Sequence, residues 1–433
     1  MPRLPVLLIV CCLFLPVVAF AQPSEIQALQ QKADQGDPEA MYELGQAYRK
    51  GKWVPKDFAK AYDFYSRSAL KGSAGGLVGL GVMYQSGQGV KQDYPKALDI
   101  YSKAAKQGDA RGQHALGYSY HSGKGVTKDY RTAMEWYRKA AAQGYALSMN
   151  NIGVLYQQGQ GVEENNYTAM EWFHKAADHG GAKAQSYLGY IYKYGKKGAS
   201  MDGIKAAEYY QKAAEQGHLK SITELVSLYS SDWNNLKKDM KKAVYWLKKA
   251  AEQGDVDSQN SLGYKYDRGE DVPKSKKRSL MWYRKAAEQG DAHGQRSLGV
   301  NLKDAEEARE WLFKSAAQNY GLALGRLSTT YYGGPEGSSK SHVLSYMWAS
   351  IHATSDDSFE KEQGVYWRDM LVDRMTPEDI ELAQDMTLEW IETDEQERVV
   401  LAKKYHARLW KHSYKSRVSK KETVPVSGGT TSE

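Results

Sequence analysis

Three groups of residues have the type and spacing to attract a chemical reading. The first is a set of Gly-x-Gly-Val segments: Gly87/Gly89/Val90, Gly123/Gly125/Val126 and Gly159/Gly161/Val162. Such glycines can cradle a phosphate, but a dinucleotide fingerprint needs a strand before it and a helix after it. These segments recur between two helical patterns, which predicts structural turns. Residues 333–340 are rich in glycine and serine but lack the Gly-Lys-Ser/Thr ending of a P-loop. The second group is histidine. His114 and His121 are seven residues apart, about 10.5 Å along a helix, too far to share one metal. The third is nucleophiles. Both cysteines, Cys11 and Cys12, fall in the apolar leader, and no serine elbow, HExxH or paired-carboxylate pattern is present. The sequence therefore predicts no catalytic residue, no metal ligand and no cofactor, and a non-enzymatic protein.

Residues 1–21 read as a cleaved signal peptide. Arg3 supplies the positive end, Leu4 to Phe20 is an uncharged apolar run, and Ala19-Phe20-Ala21 is a small-x-small cleavage site. The run is at the short limit for a membrane span and Pro16 interrupts it. A chain starting at Gln22, periplasmic or secreted, is expected. It would contain no cysteine, so packing rather than disulfides would hold it.

The elements that must position any site come from a repeat. Gly36, Gly72, Gly108, Gly144, Gly180, Gly217, Gly254 and Gly290 stand 36 or 37 residues apart. Counting from each of these ruling glycines, apolar or small residues occupy offsets +4, +8 and +12, one face of a helix. Gly112, Leu116 and Tyr120 are an example, as are Ala184, Leu188 and Tyr192. A further glycine recurs at +9 (Gly45, Gly81, Gly117, Gly153, Gly189, Gly263, Gly299). Inside a helix it costs about 1 kcal/mol against alanine, so its recurrence predicts a close helix–helix approach. The second helix carries a small residue, an aromatic pair and two alanines, as in Ala133, Trp136, Tyr137, Ala140 and Ala141. Aromatic rings filling space above glycine and alanine would account for 32 Tyr, 11 Trp and 40 Gly.

The stretch from Leu116 to Gly144 resembles the Sel1-like repeat family, relatives of the tetratricopeptide repeats, almost residue for residue. The pattern is A-x-x-L-G-x-x-Y-x-x-G-x-G-V followed by D-x-x-x-A-x-x-W-Y-x-K-A-A-x-x-G, and the resemblance covers about 36–335. It implies an all-α fold, a right-handed α/α superhelix, and a role as adaptor or scaffold. The sixth repeat departs from the pattern with Val226 at +9 and no Gly-x-Gly-Val loop. The eighth is seven residues short, with Leu302 in the tyrosine position, and Asn319 replaces the next ruling glycine. The domain reading is a capping helix at 22–35, opened by a Ser24/Gln27 capping box, and a solenoid at 36–353 of eight clear repeats plus one degenerate. A helical cap at 354–412, with a helix start at Thr376-Pro377, and a disordered basic tail at 413–433 follow.

Offsets +6, +10 and +13 lie opposite the core face of each first helix and vary between repeats. In α-solenoids first helices line the concave surface, where extended partners bind. Tyr42, Arg49, His114, Tyr118, His121, Tyr190, Tyr264 and Arg296 are the candidate contacts with a protein or peptide partner, tyrosine and arginine being enriched at binding hot spots. The net charge of +7 is misleading as a nucleic-acid signal. Eight Lys and Arg against two Glu fall in 399–433, Arg3 leaves with the leader, and 22–398 is neutral, so no nucleic acid is expected. Lys411, Lys415, Arg417, Lys420 and Lys421 make the tail a candidate contact for cell wall or an acidic polymer. A polysaccharide- or peptidoglycan-associated envelope factor is accordingly the alternative to a scaffold.

Overall fold

A computed structural model describes residues 24–197, 199–333 and 341–421, with side chains to residue 409. The expected leader lies outside these residues. The chain divides into two compact units, one ending at Gln216 and the other beginning at Gly217. All regular elements among the described residues are helices, apart from an isolated Trp233–Leu236 bridge in a loop.

The first unit opens with α1 (Ser24–Asp34) and continues as five helix pairs. These are α2 (Pro38–Lys50) with α3 (Phe58–Leu70), α4 (Ala74–Ser86) with α5 (Tyr94–Lys106), α6 (Ala110–Ser122) with α7 (Tyr130–Ala141), α8 (Ala146–Gln158) with α9 (Asn166–Asp178), and α10 (Ala182–Tyr194) with α11 (Gly203–Glu215). Within the second unit the pairs are α12 (Leu219–Ser230) with α13 (Met240–Glu252), α14 (Val256–Arg268) with α15 (Lys276–Glu288), α16 (Ala292–Asn301) with α17 (Ala305–Ala317), and α18 (Gly321–Gly333) with α19 (His342–His352). Three helices close it: α20 (Ser358–Val372), α21 (Pro377–Glu392) and α22 (Glu395–Lys421).

Local chemistry sets the helix ends. Asp37, Asp57, Asp93, Asp109, Asp129, Asp202, Asp239, Asp255, Asp291 and Asp304 cap N-termini, each accepting a backbone N–H two or three residues on. Ser24, expected to close a reciprocal pair with Gln27, instead donates to Glu25 at 3.3 Å. The first helices α2, α4, α6, α8, α10 and α14 end on a left-handed glycine, such as Gly123 at φ 74°, whereas α12 and α16 end on Ser231 and Leu302 in extended backbone. The second loop glycine is there for closeness. A Cβ on Gly125 would stand 2.5 Å from the Tyr94 carbonyl oxygen and 2.9 Å from the Pro95 nitrogen. The loop rests on the start of the preceding repeat's second helix, which leaves it a packing element.

Six of the seven +9 glycines receive aromatic rings; the seventh, Gly299, is met by Leu312, whose Cγ would stand 2.9 Å from a Cβ there. Tyr65, Tyr101, Tyr137, Phe173, Tyr210 and Tyr283 lie across Gly45, Gly81, Gly117, Gly153, Gly189 and Gly263, with ring carbons 2.4–2.8 Å from where a Cβ would be. All six rings are buried. The sixth repeat solves the same space differently: Val226 fills the glycine position, and buried Leu247 replaces the ring. In the ninth pair Ser328 stands at +9, and its hydroxyl donates to the Ser345 carbonyl (3.0 Å) while Ser345 returns a bond of 2.9 Å.

A second repeated device is polar. Buried glutamines at +5 donate to the carbonyl of the previous repeat, Gln185 to Ala177 and Gln259 to Ala251, both at 3.0 Å. Each accepts from the glutamine before the next ruling glycine, Gln216 and Gln289, at 2.8 Å.

At the C-terminal end Trp348, Met386, Trp390 and Tyr405 form one core with the last repeats. Thr376 caps α21 as expected, but the stretch beyond it divides at Thr393–Asp394 into α21 and α22. Arg398 ties α22 back, donating to the Ala317 carbonyl at 3.1 Å and to Asn319 at 3.0 Å. Backbone 413–421, expected to be disordered, continues the helix. From Glu395 to Lys421 no Gly or Pro interrupts good helix formers. Lys403 and Lys404, read as part of an excess basic stretch, pair with Glu310 (2.5 Å) and Glu389 (3.4 Å). The side chains of Lys411, Lys415, Arg417, Lys420 and Lys421, and residues 422–433, lie outside the described part.

Candidate functional site

The three variable offsets on the first helices have three different environments. Position +6 is wedged between stacked repeats. Tyr42 lies beneath the Arg111 guanidinium, 4.9 Å from its ring centroid, and both close over Gly75, where a Cβ would meet Arg111 at 3.1 Å and Tyr42 at 3.2 Å. His114 is tucked against Tyr137 and Tyr145 (5.5 and 5.1 Å) with Nδ1 2.9 Å from the Ser148 hydroxyl. Burial, helped by Lys183, lowers its pKa to about 4, so the ring is neutral near neutral pH. Arg296 is half-buried. The face opposite a first helix's own partner is thus partly covered by first helices of neighbouring repeats.

Position +13 answers the ring that crosses the glycine. Tyr101 donates to Gln85 at 2.6 Å, and the Tyr137 hydroxyl lies 3.3 Å from His121 Nδ1. Arg49 serves Tyr65 in the same way: burial raises the pKa of that hydroxyl, and the hydrogen bond to Arg49 offsets part of the rise. The fourth repeat has Phe173 and no hydroxyl to answer, and there Gln157 turns to the Tyr187 hydroxyl of the next repeat.

Position +10 is open. Tyr118 and Tyr264 are exposed, at 38% and 45%, and Tyr190 is half-buried. Loop lysines fold onto two of them. Lys124 Nζ lies 5.3 Å from the Tyr118 ring centroid, and Lys196 Nζ lies 4.8 Å from that of Tyr190 and 2.5 Å from its hydroxyl. Tyr194 extends the second cluster, 4.9 Å from Tyr190. In the second unit Tyr264 lines a pocket of about 390 Å³ with Asp257, Asn260, Glu270 and His293.

The sequence-predicted residues are therefore not one surface. Tyr118, Tyr190 and Tyr264 face outward, whereas Tyr42, Arg49, His114 and His121 are engaged in packing and hydrogen bonds. Lys124, Lys196, Asp257 and Glu270 were missed. The ruler that found the tyrosines would have found them at offsets +16 and +3. Among the described residues no group of three or more His, Cys, Asp or Glu is arranged to hold a metal ion. An open tyrosine flanked by fixed charges can stack on and hydrogen-bond to a partner.

The family described as the Sel1 repeat matches residues 38–73, 75–109, 110–145, 146–181, 182–218, 228–255, 256–291 and 294–320, more than half of the chain. The sixth match starts late, where Val226 breaks the pattern. Among solved structures, a protective antigen of uropathogenic Escherichia coli strains displaying an SLR fold is 29% identical, covering 94% of this chain and 91% of its own, with a TM-score of 0.41. A Sel1 repeat protein from Oxalobacter formigenes is 29% identical over 53% of this chain and 99% of its own, TM-score 0.44. An immunity protein from Pseudomonas aeruginosa is 20% identical over 50% and 81%, TM-score 0.40. No curated protein matches the chain.

Proposed function

We propose, from the premise that the chain belongs to the Sel1 repeat family, whose members are generally protein-interaction scaffolds, that it is an exported adaptor. It holds a protein or peptide partner on the face of its first helices. The observation that carries this reading is the division of labour on that face. Offsets +6 and +13 consolidate the fold, while the +10 tyrosines stay open with charged groups set beside them. Export is read from residues 1–21, and the family's fold gives no support to an enzymatic role.

A photo-crosslinking residue placed at Tyr118 or Tyr190, in cells of the source organism, tests the site. It should give the same discrete adduct from both positions. The same label at Glu135, exposed on a second helix, should give none. Equal labelling at all three would remove the first-helix face as the binding surface. A chain that stays in the cytosol on fractionation would remove the export reading.

A further inference from the structure

Two repeats of the first unit share a set of charged and aromatic residues that the other three do not. The third and fifth repeats carry the same set at offsets +3, +10 and +16: Arg111, Tyr118 and Lys124, then Lys183, Tyr190 and Lys196, each 72 residues from its counterpart. The first repeat has only the lysine, Lys52 at +16 with Gln46 at +10, and the second and fourth repeats carry none of the set. Offsets +10 and +16 there are Val154 with Gln160, and Val82 with Gln88. In the third and fifth repeats the loop lysine lies over the tyrosine ring. Lys124, Lys183 and Lys196 form no ion pair among the described residues, whereas Arg111 is held by Asp109 at 2.8 Å. The seventh repeat presents the same tyrosine with both signs beside it: Asp257, Lys265 and Glu270 line its pocket, and the Arg268 guanidinium lies 5.8 Å from the Tyr264 ring centroid.

We infer that the first unit's two tyrosine–lysine stations dock an extended acidic segment of the partner, one carboxylate to each station. This rests on the first-helix face being the binding surface and assigns the chemistry of what it takes. A carboxylate meeting Lys124 or Lys196 gains a charge-assisted hydrogen bond, and the tyrosine beneath gives the neighbouring side chain a flat surface to pack on. Helices of successive repeats pack about 8–10 Å apart, so stations two repeats apart are roughly 20 Å apart. An extended strand rising about 3.3 Å per residue covers that in about six residues.

Random twelve-residue peptides displayed on phage, selected on the intact chain, read this directly. The selected peptides should be enriched in Asp and Glu, with two acidic positions about six residues apart. Synthetic copies should lose affinity about tenfold or more, by fluorescence anisotropy, for Lys124→Glu/Lys196→Glu, as expected for two reversed rim charges, and should weaken with added salt. Lys124→Gln/Lys196→Gln places at +16 the residue that the second and fourth repeats already carry, so it keeps the fold and should still weaken binding. Glu135→Ala, on the exposed face of a second helix, should change nothing. Peptides without acidic enrichment, or acidic peptides that bind both lysine variants as tightly as the parent, overturn the acidic assignment and leave the surface standing. Recovery of no peptide overturns it too, and the crosslinking at Tyr118 and Tyr190 then decides separately whether that surface binds a folded protein.

Discussion

Gly81→Ala puts two opposed effects at one position. Gly81 lies inside α4, and alanine there would gain about 1 kcal/mol of helix propensity. The new Cβ, however, would stand 2.4 Å from Tyr101 Cε1 and 2.7 Å from Cδ1, so the ring must retreat by about 1 Å to reach ordinary contact. Tyr101 is 1% exposed. Overpacking of this kind costs about 1–3 kcal/mol. Moving the ring also breaks its 2.6 Å bond to Gln85, worth about 1 kcal/mol. The propensity gain and the lost bond roughly cancel, leaving a net loss of about 1–3 kcal/mol. Urea unfolding followed by circular dichroism measures it. The protein also supplies its own rescue, because the sixth repeat packs Val226 with Leu247. Gly81→Val with Tyr101→Leu copies that solution, so the double variant should be more stable than the sum of the single losses by about 1 kcal/mol or more. A Gly81→Ala chain as stable as the parent, or strictly additive losses in the cycle, would show that the glycine is not there to admit the ring.

Two further outcomes follow from the same geometry. Gln259→Met keeps the volume and uses a residue that the first and fourth repeats carry at this offset (Met41, Met149). It should nevertheless cost about 1–3 kcal/mol through two lost hydrogen bonds, leaving the Ala251 carbonyl with the Gly254 N–H at 3.1 Å and the Gln289 amide with the Lys285 carbonyl at 3.4 Å. Hydrogen exchange of α14 and α15 should rise with it, and unchanged protection would contradict the ladder. His114 should titrate near 4 by NMR against about 6.5 in the unfolded chain. Between these values the unfolded state binds the extra proton, so its contribution is intact above about pH 6.5 and is lost as pH falls toward 4. His114→Asn, the residue at +6 in the fourth and seventh repeats, should flatten that limb of the stability profile. A ring titrating near 6.5 would refute its burial.

By itself the sequence determined the repeat, its length and its internal packing logic. A glycine every 36 or 37 residues, apolar residues four apart and an aromatic pair before two alanines admit one economical arrangement, because helix periodicity is local and a large side chain on one helix needs the space a glycine leaves on the other. Even the departures at Val226 and Leu302 were readable, since each removes a named packing partner. The C-terminal cap was legible in type but not in extent, since the division at Thr393 and the return of Arg398 to Ala317 depend on contacts far away in the chain. The same holds for the candidate site. Offsets +6, +10 and +13 share one side of an isolated helix, and periodicity cannot tell them apart. Stacking decides between them: neighbouring first helices cover His114 and Tyr42, tyrosine hydroxyls from the second helices claim Arg49 and His121, and only the +10 ring is left to solvent. Whether a side chain is available to a partner is a property of what the next repeat does with the space beside it, and that is settled in three dimensions.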